Sequence, residues 1–95
     1  MAVVTIYTTR TCGYCHAAVA LLRQRNIEFE QIDTTGNYDL REWLADRTGR
    51  STVPQIFIGN DAIGGYTDLA AIDQRGELGG RIAAAQQAVP HSVKR

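Results

Sequence analysis

Cysteine is nearly absent from this 95-residue chain: there are two, Cys12 and Cys15. Two cysteines cannot build the disulfide framework that holds small secreted domains together, so the thiols are expected to start reduced and the chain to work in the cytoplasm. Net charge is also missing, with ten Lys and Arg against ten Asp and Glu. Without an overall field, neither nucleic acid nor a membrane surface is an expected partner. No apolar stretch approaches the roughly 18 residues of a membrane span, and no basic segment followed by an apolar run reads as an export signal. Repeats, linkers and low-complexity blocks are absent too. One small domain over residues 1–88 with a polar tail over 89–95 accounts for the length, and its binding surface must be local.

The segments that are present alternate in type. Val3 to Thr8 is a β-branched and aromatic run of strand length. From Gly13 to about Gln24, the residues Ala17, Ala18, Val19, Leu21 and Leu22 give a broad apolar helical face, which Asn26 breaks. Ile27 to Ile32 reads as a second strand, parallel to the first because a helix separates them. After a turn at Asp33 to Gly36, Leu40, Trp43, Leu44 and Arg47 recur at i, i+3, i+4 and i+7. That spacing predicts a helix over Tyr38 to Thr48 with its aliphatic side on the sheet, ended by Gly49. Gln55 to Ile58 and Asp61 to Gly64 flank Gly59-Asn60 as a hairpin. Thr67 is the expected N-cap and Asp68 the acidic first-turn residue of a helix carrying Leu69 and Ile72. A last helix is expected from Leu78 through Gln86, with Pro90 to Arg95 as the tail. The result is an α/β chain, a small mixed sheet covered on both faces.

Cys12-Gly13-Tyr14-Cys15 falls between the first strand and the first helix. A thiol must ionise to attack a disulfide, and the unpaired N–H groups and positive end of a helix N-terminus favour the thiolate. Cys12 is therefore the expected nucleophile. Cys15, about one turn later, can reach back to displace whatever Cys12 has captured, and its deeper position keeps its pKa higher. Two inert core cysteines, or half of a zinc site, are the alternatives. Zinc wants two more sulfur or imidazole ligands, and only His16 and His91 remain, one beside Cys15 and one in the tail.

Cys12-Gly13-Tyr14-Cys15, Thr52-Val53-Pro54-Gln55-Ile56-Phe57-Ile58 and Gly64-Gly65-Tyr66-Thr67-Asp68-Leu69, in this order and at this length, resemble a glutaredoxin of the dithiol type. The similarity runs from about Val3 to Ile82. It implies a thioredoxin-like fold with a four-stranded mixed sheet of order 2-1-3-4 and helices on both faces. The implied function is a glutathione-dependent thiol–disulfide oxidoreductase that reduces protein–glutathione mixed disulfides and protein disulfides, with glutathione as cosubstrate and a monomer as working unit. The resemblance places a cis Val53–Pro54 peptide opposite the dithiol, with the Val53 backbone pairing a thiol peptide like an added strand. Gly64 and Gly65 would allow close approach of the ligand. Thr67 and Asp68 correspond to positions that bind the γ-glutamyl end, where helix N–H groups take the carboxylate and Asp68 the ammonium. Tyr14 would line the groove, and Arg50 would take the glycyl carboxylate.

The chain departs from the family pattern at two places. Many dithiol glutaredoxins have proline where Gly13 stands, and relatives with glycine include some that hold a [2Fe–2S] cluster between two subunits through the first cysteine and glutathione. A glutathione-ligated cluster carrier or sensor, a homodimer bridged at Cys12, is thus the alternative reading; no metal is expected in the monomer. The family also often has lysine three residues before the nucleophile, where this chain has Thr9 followed by Arg10. Whether Arg10 supplies that charge depends on the loop.

Overall fold

The computed structural model describes residues 2–91. In chain order the elements are β1 (Val4–Thr8), α1 (Gly13–Gln24), β2 (Phe29–Asp33), α2 (Tyr38–Thr48), β3 (Gln55–Ile58), β4 (Asp61–Gly64), α3 (Tyr66–Gln74) and α4 (Leu78–His91). One sheet has the order β2-β1-β3-β4. β1 runs parallel to β2, with Val4 opposite Phe29, and antiparallel to β3, with Val4 opposite Ile58; β3 and β4 form the antiparallel hairpin. This is the thioredoxin-like order expected above.

Alternation along the two central strands divides the protein into layers. Val4 and Ile6 of β1 and Ile56 and Ile58 of β3 face Ala18, Val19 and Leu22 of α1, Leu69 and Ile72 of α3, and Leu78 at the start of α4. Ile6, Leu22 and Leu69 are wholly buried there. Truncating one such side chain to alanine costs about 2–5 kcal/mol, a large share of the stability of a small domain.

The intervening residues build a thinner second layer. Tyr7 and Phe57 meet edge-on at 5.7 Å, and Trp43 of α2 tilts against Tyr7 at 6.2 Å. The Arg47 guanidinium lies 5.6 Å from the Trp43 ring centre and 5.7 Å from that of Phe57. Leu44 is buried, but Trp43 keeps 45% of its surface exposed. The stripe predicted for α2 therefore faces the sheet through an aromatic and cationic rim as well as an aliphatic centre.

Three boundaries differ from the sequence reading by two residues or more. β2 begins at Phe29 rather than Ile27, because the chain leaves α1 through a Schellman turn. Asn26 takes the left-handed conformation (φ 57°), its N–H bonds to the Arg23 carbonyl at 3.0 Å, and the Ile27 N–H bonds to Leu22 at 3.0 Å. Ile27 is committed to closing the helix and packing on the core before pairing begins. α3 begins earlier than expected, with Gly65 as N-cap and Thr67 already inside the first turn. α4 continues past Gln86 to His91 and takes in Pro90 of the segment expected to be tail. Residues 92–95 of that tail lie outside the described residues.

Candidate active site

Cys12 is the N-cap of α1. Its extended backbone (φ −122°, ψ 109°) turns the sulfur over the first turn, where it accepts the Cys15 N–H at 3.1 Å. Ser, Thr, Asp or Asn usually fills this place. A sulfur there gains the same N–H and the positive helix end, both of which favour its anion. No acidic residue in the first turn opposes that charge. Cys15 differs: it is only 2% exposed, and its thiol is pushed up to about 12, chiefly by burial and then by the Cys12 sulfur beside it. A hydrogen bond from the Thr9 backbone pulls the other way but does not prevail. The pair thus joins a half-buried, reachable sulfur to a protonated one beneath it.

The loop before Cys12 is held from the side. The N–H and hydroxyl of Thr34 both donate to the Thr8 carbonyl, at 2.7 and 2.9 Å, and the Arg10 N–H donates to the Thr35 hydroxyl at 3.0 Å. The Arg10 side chain turns to Asp33, with Nε 3.6 Å from Oδ2. Its charge is engaged there, on an arm that is 77% exposed.

Val53 faces the dithiol. Its carbonyl oxygen lies 3.7 Å from Cys12 Sγ, positioned to accept the thiol proton, and the Val53–Pro54 peptide is cis with Pro54 buried. The start of α3 lies beside this segment. Gly65 has no side chain with which to cap, so the cap comes from within the helix: Asp68 Oδ2 accepts the Gly65 N–H at 2.9 Å. The same oxygen accepts Arg50 Nη1 at 3.2 Å. The Asp68 carboxyl is held below the usual range, first by the Gly65 N–H and also by Arg50, with partial burial opposing. Gly64 takes φ 111°, and a Cβ there would run into the Asp68 carboxylate and lie 3.1 Å from Arg50 Nη1. The close approach that demands glycine is therefore between Gly64 and this ion pair. At Gly65 a Cβ would make only an ordinary 3.5 Å contact with the Pro54 carbonyl.

Tyr14 on α1 and Tyr66 on α3 stack with ring centres 6.2 Å apart and planes 24° off parallel, joining the two helix starts. Farther back, Arg25 holds Asp73 through Nε at 2.8 Å and Nη2 at 2.9 Å, so the same helices are tied at a second point. The Arg50–Asp68 pair thus lies at the start of the helix that stacks against the Cys12 helix.

A glutaredoxin family model matches residues 4–63, a span that contains the dithiol and the Val53-Pro54 segment. The chain belongs to the glutaredoxin family. Glutaredoxin 3 of Escherichia coli K12 is 51% identical over 78 residues, which cover 82% of this chain and 94% of that protein. The solution structure of a glutaredoxin from Brucella melitensis matches with a TM-score of 0.77 at 43% identity, over 86% of this chain and 89% of that one. A buckwheat glutaredoxin solved with glutathione matches with a TM-score of 0.82 at 25% identity, over 88% and 79%. Glutathione-dependent thiol–disulfide exchange is the activity of this glutaredoxin.

In this glutaredoxin, Cys12, Cys15, Val53 and Pro54 converge as a group, and Asp68, Arg50, Gly65 and Thr67 form a second group at the start of α3. Thr67 is exposed at the second helical position, so the N-cap expected there belongs to Gly65. Tyr14, 67% exposed, stands between the groups. Tyr66 was not among the expected site residues; its place between two glycines and the Thr67-Asp68 pair was the available signal, but stacking on Tyr14 needed the tertiary fold. The Arg50–Asp68 pair was also missed, since 18 positions separate the partners. A [2Fe–2S] cluster takes four ligands, usually thiolates. One chain offers Cys12 alone, since Cys15 is buried and protonated, and among the described residues no group of three His, Cys, Asp or Glu could hold a metal ion. Among the described residues, one chain shows no cluster site.

Proposed function

We propose that Cys12 is the nucleophile that reduces protein–glutathione mixed disulfides and that Cys15 resolves the protein disulfides the same site accepts. The observation that carries this is the Cys12 sulfur at the N-cap, bonded by the Cys15 N–H at 3.1 Å, above a second thiol that stays protonated. In the first reaction the Cys12 thiolate attacks the glutathione sulfur. The new S–S bond forms as the old one breaks, and the protein sulfur leaves with the electron pair and takes a proton from water. Glutathione thiolate then attacks the Cys12–glutathione disulfide, releasing Cys12 and oxidised glutathione. With a protein disulfide, the Cys12 thiolate attacks one sulfur and the other leaves as a thiol after taking a proton from water; Cys15 then attacks Cys12 in this mixed disulfide, and its proton passes to the departing substrate sulfur, which frees the substrate. Two glutathiones then reduce the Cys12–Cys15 pair, so each cycle moves two electrons from glutathione to substrate.

Glutathione would lie along Tyr14, Val53, Pro54 and Gly65. Its γ-glutamyl carboxylate would sit at the first-turn amides around Thr67, its ammonium on Asp68 and its glycyl carboxylate on Arg50. The support is chemical: free helix N–H groups for an anion, a carboxylate for a cation and a guanidinium for a second anion. A monomer is the simplest working unit for such a groove, and a reducing compartment such as the cytoplasm would keep the dithiol in its reactive form.

Mixing the reduced Cys15→Ser variant, whose intermediate cannot be resolved internally, with a glutathionylated peptide and reading intact and digested masses tests the assignment. One glutathione should appear on Cys12 and vanish on adding free glutathione. No adduct on Cys12, or an adduct on Cys15 in the Cys12→Ser variant, would overturn it.

A further inference from the structure

Arg50 and Asp68 are each other's counter-ion in the free protein, yet each is assigned above to a different charged end of glutathione. We propose that this pair makes the groove selective for ligands carrying both charges: an ammonium must replace Arg50 on Asp68 while a carboxylate replaces Asp68 on Arg50. The proposal rests on the glutathione groove described above and adds a coupling between two of its subsites.

The geometry fits an exchange. Asp68 Oδ2 already accepts two donors, Gly65 N–H at 2.9 Å and Arg50 Nη1 at 3.2 Å, so an arriving ammonium competes with Arg50 for that oxygen. The glycine at position 64 leaves the space in which the pair meets. The Arg50 backbone is pinned on both sides: its N–H donates to the Thr48 hydroxyl at 3.2 Å, and its carbonyl accepts Gln55 Nε2 at 2.8 Å. Only the side chain is free to turn to a new partner. The two side chains are 53% and 40% exposed, so their bond is solvated and cheap to open.

Charge pairing then decides which ligands are accepted. A ligand with both charges exchanges one internal ion pair for two external ones. An ammonium without a carboxylate displaces Arg50 and leaves it with no partner, and a carboxylate without an ammonium leaves Asp68 in the same state. Singly charged thiol adducts are therefore disfavoured before any sulfur chemistry begins.

The test is an NMR titration of the intact reduced protein, following the Gly64, Gly65 and Asp68 amides. The probes are S-methylglutathione, its diamide with both carboxylates removed, and its N-acetyl derivative without the ammonium. Wild type should bind both derivatives more weakly than the parent. Arg50→Ala should weaken the parent but tighten the diamide by about 2–5-fold, the release expected from removing an exposed competing ion pair. Arg50→Gln, which keeps the length and drops the charge, should repeat that crossover and carries the test if the alanine variant folds poorly. Diamide affinity that is unchanged or lower in both variants would overturn the exchange and leave Arg50 a simple carboxylate anchor. Failure of the underlying groove reading has a separate signature: N-acetylation would then leave wild-type affinity unchanged.

Discussion

Two helix N-termini meet at the site, and each uses a different half of the same capping arrangement. In a full capping box the N-cap side chain accepts the N–H of the third helical residue, whose side chain accepts the N-cap N–H in return. α1 has only the first half, Cys12 Sγ accepting the Cys15 N–H, and α3 only the second, Asp68 Oδ2 accepting the Gly65 N–H. The third position holds a thiol in α1 and a carboxylate in α3. In α1 no fixed charge occupies the helix end, so the stabilisation goes to whichever anion the N-cap can form, a thiolate. The end of α3 brings a permanent anion of its own, which draws a cation: Arg50 in the free protein and an ammonium in the proposed complex. In the proposed site, one terminus serves the reacting sulfur and the other serves recognition.

Breaking the first half should have the largest effect. Cys12→Ser replaces the sulfur with a good N-cap, so the melting temperature should stay close to wild type while glutathione-coupled turnover falls to background on every disulfide. Loss of both together would mean that the sulfur is chiefly structural. Cys15→Ser should divide the substrates, keeping most of the activity on glutathione mixed disulfides, where glutathione resolves the intermediate, and losing most of it on protein disulfides. Cys15→Ser should also differ from wild type in alkali. A thiol raised from about 9 to about 12 binds its proton in the folded state where the unfolded chain has lost it. Its contribution is present below pH 9 and falls as pH rises toward 12. Chemical denaturation of the reduced protein at pH 8 and pH 10.5 should show a larger loss in wild type than in Cys15→Ser.

Much of this comparison was legible in the residues. Helix propensity and spacing located α1, α2 and both hairpin strands, because apolar period and glycine punctuation agreed at each. The roles proposed for the dithiol rest on its place before a helical run, where the structure also puts it. What failed were features decided by bonds between distant or non-periodic groups. Ile27 looks like a strand residue, but a Schellman turn uses its N–H first. Thr67 looks like a better cap than Gly65, but a carboxylate at the third position can cap a glycine as well, and the Arg50 beside it favours that choice. Arg10 had no legible partner until the Thr34-Thr35 loop folded against it.

Weakening the α3 half should have a smaller effect. Asp68→Asn keeps the shape but removes the charge, so KM for glutathione mixed disulfides should rise several-fold while kcat on a saturating substrate changes little. Stability should fall by about 0.5–1 kcal/mol near neutral pH, the ordinary scale of a cap and an exposed pair. Because the folded carboxyl titrates below its unfolded value, its contribution is present above about pH 4 and is lost as pH falls through the folded value. Acid unfolding curves of wild type and Asp68→Asn should therefore converge below pH 4. Curves that stay parallel there would mean that the Asp68 charge does nothing for the fold.

The smallest change sharpens the α1 half without touching either thiol. Gly13 is the first helical residue, and a Cβ built on it meets nothing within 4 Å. Proline favours that position because its missing N–H has no intrahelical partner there, and Cys12 already has the extended backbone that a residue before proline needs. Gly13→Pro should therefore stabilise by about 0.4–1 kcal/mol, mostly by restricting the unfolded chain, and raise Tm by a few degrees. The bond from the Cys15 N–H to the Cys12 sulfur should survive, so reductase activity should stay within about twofold. A lower Tm would mean that the first turn needs freedom that only glycine gives. If turnover fell sharply while Tm rose, the Gly13 N–H, which proline lacks, would be implicated as a second donor to the Cys12 thiolate.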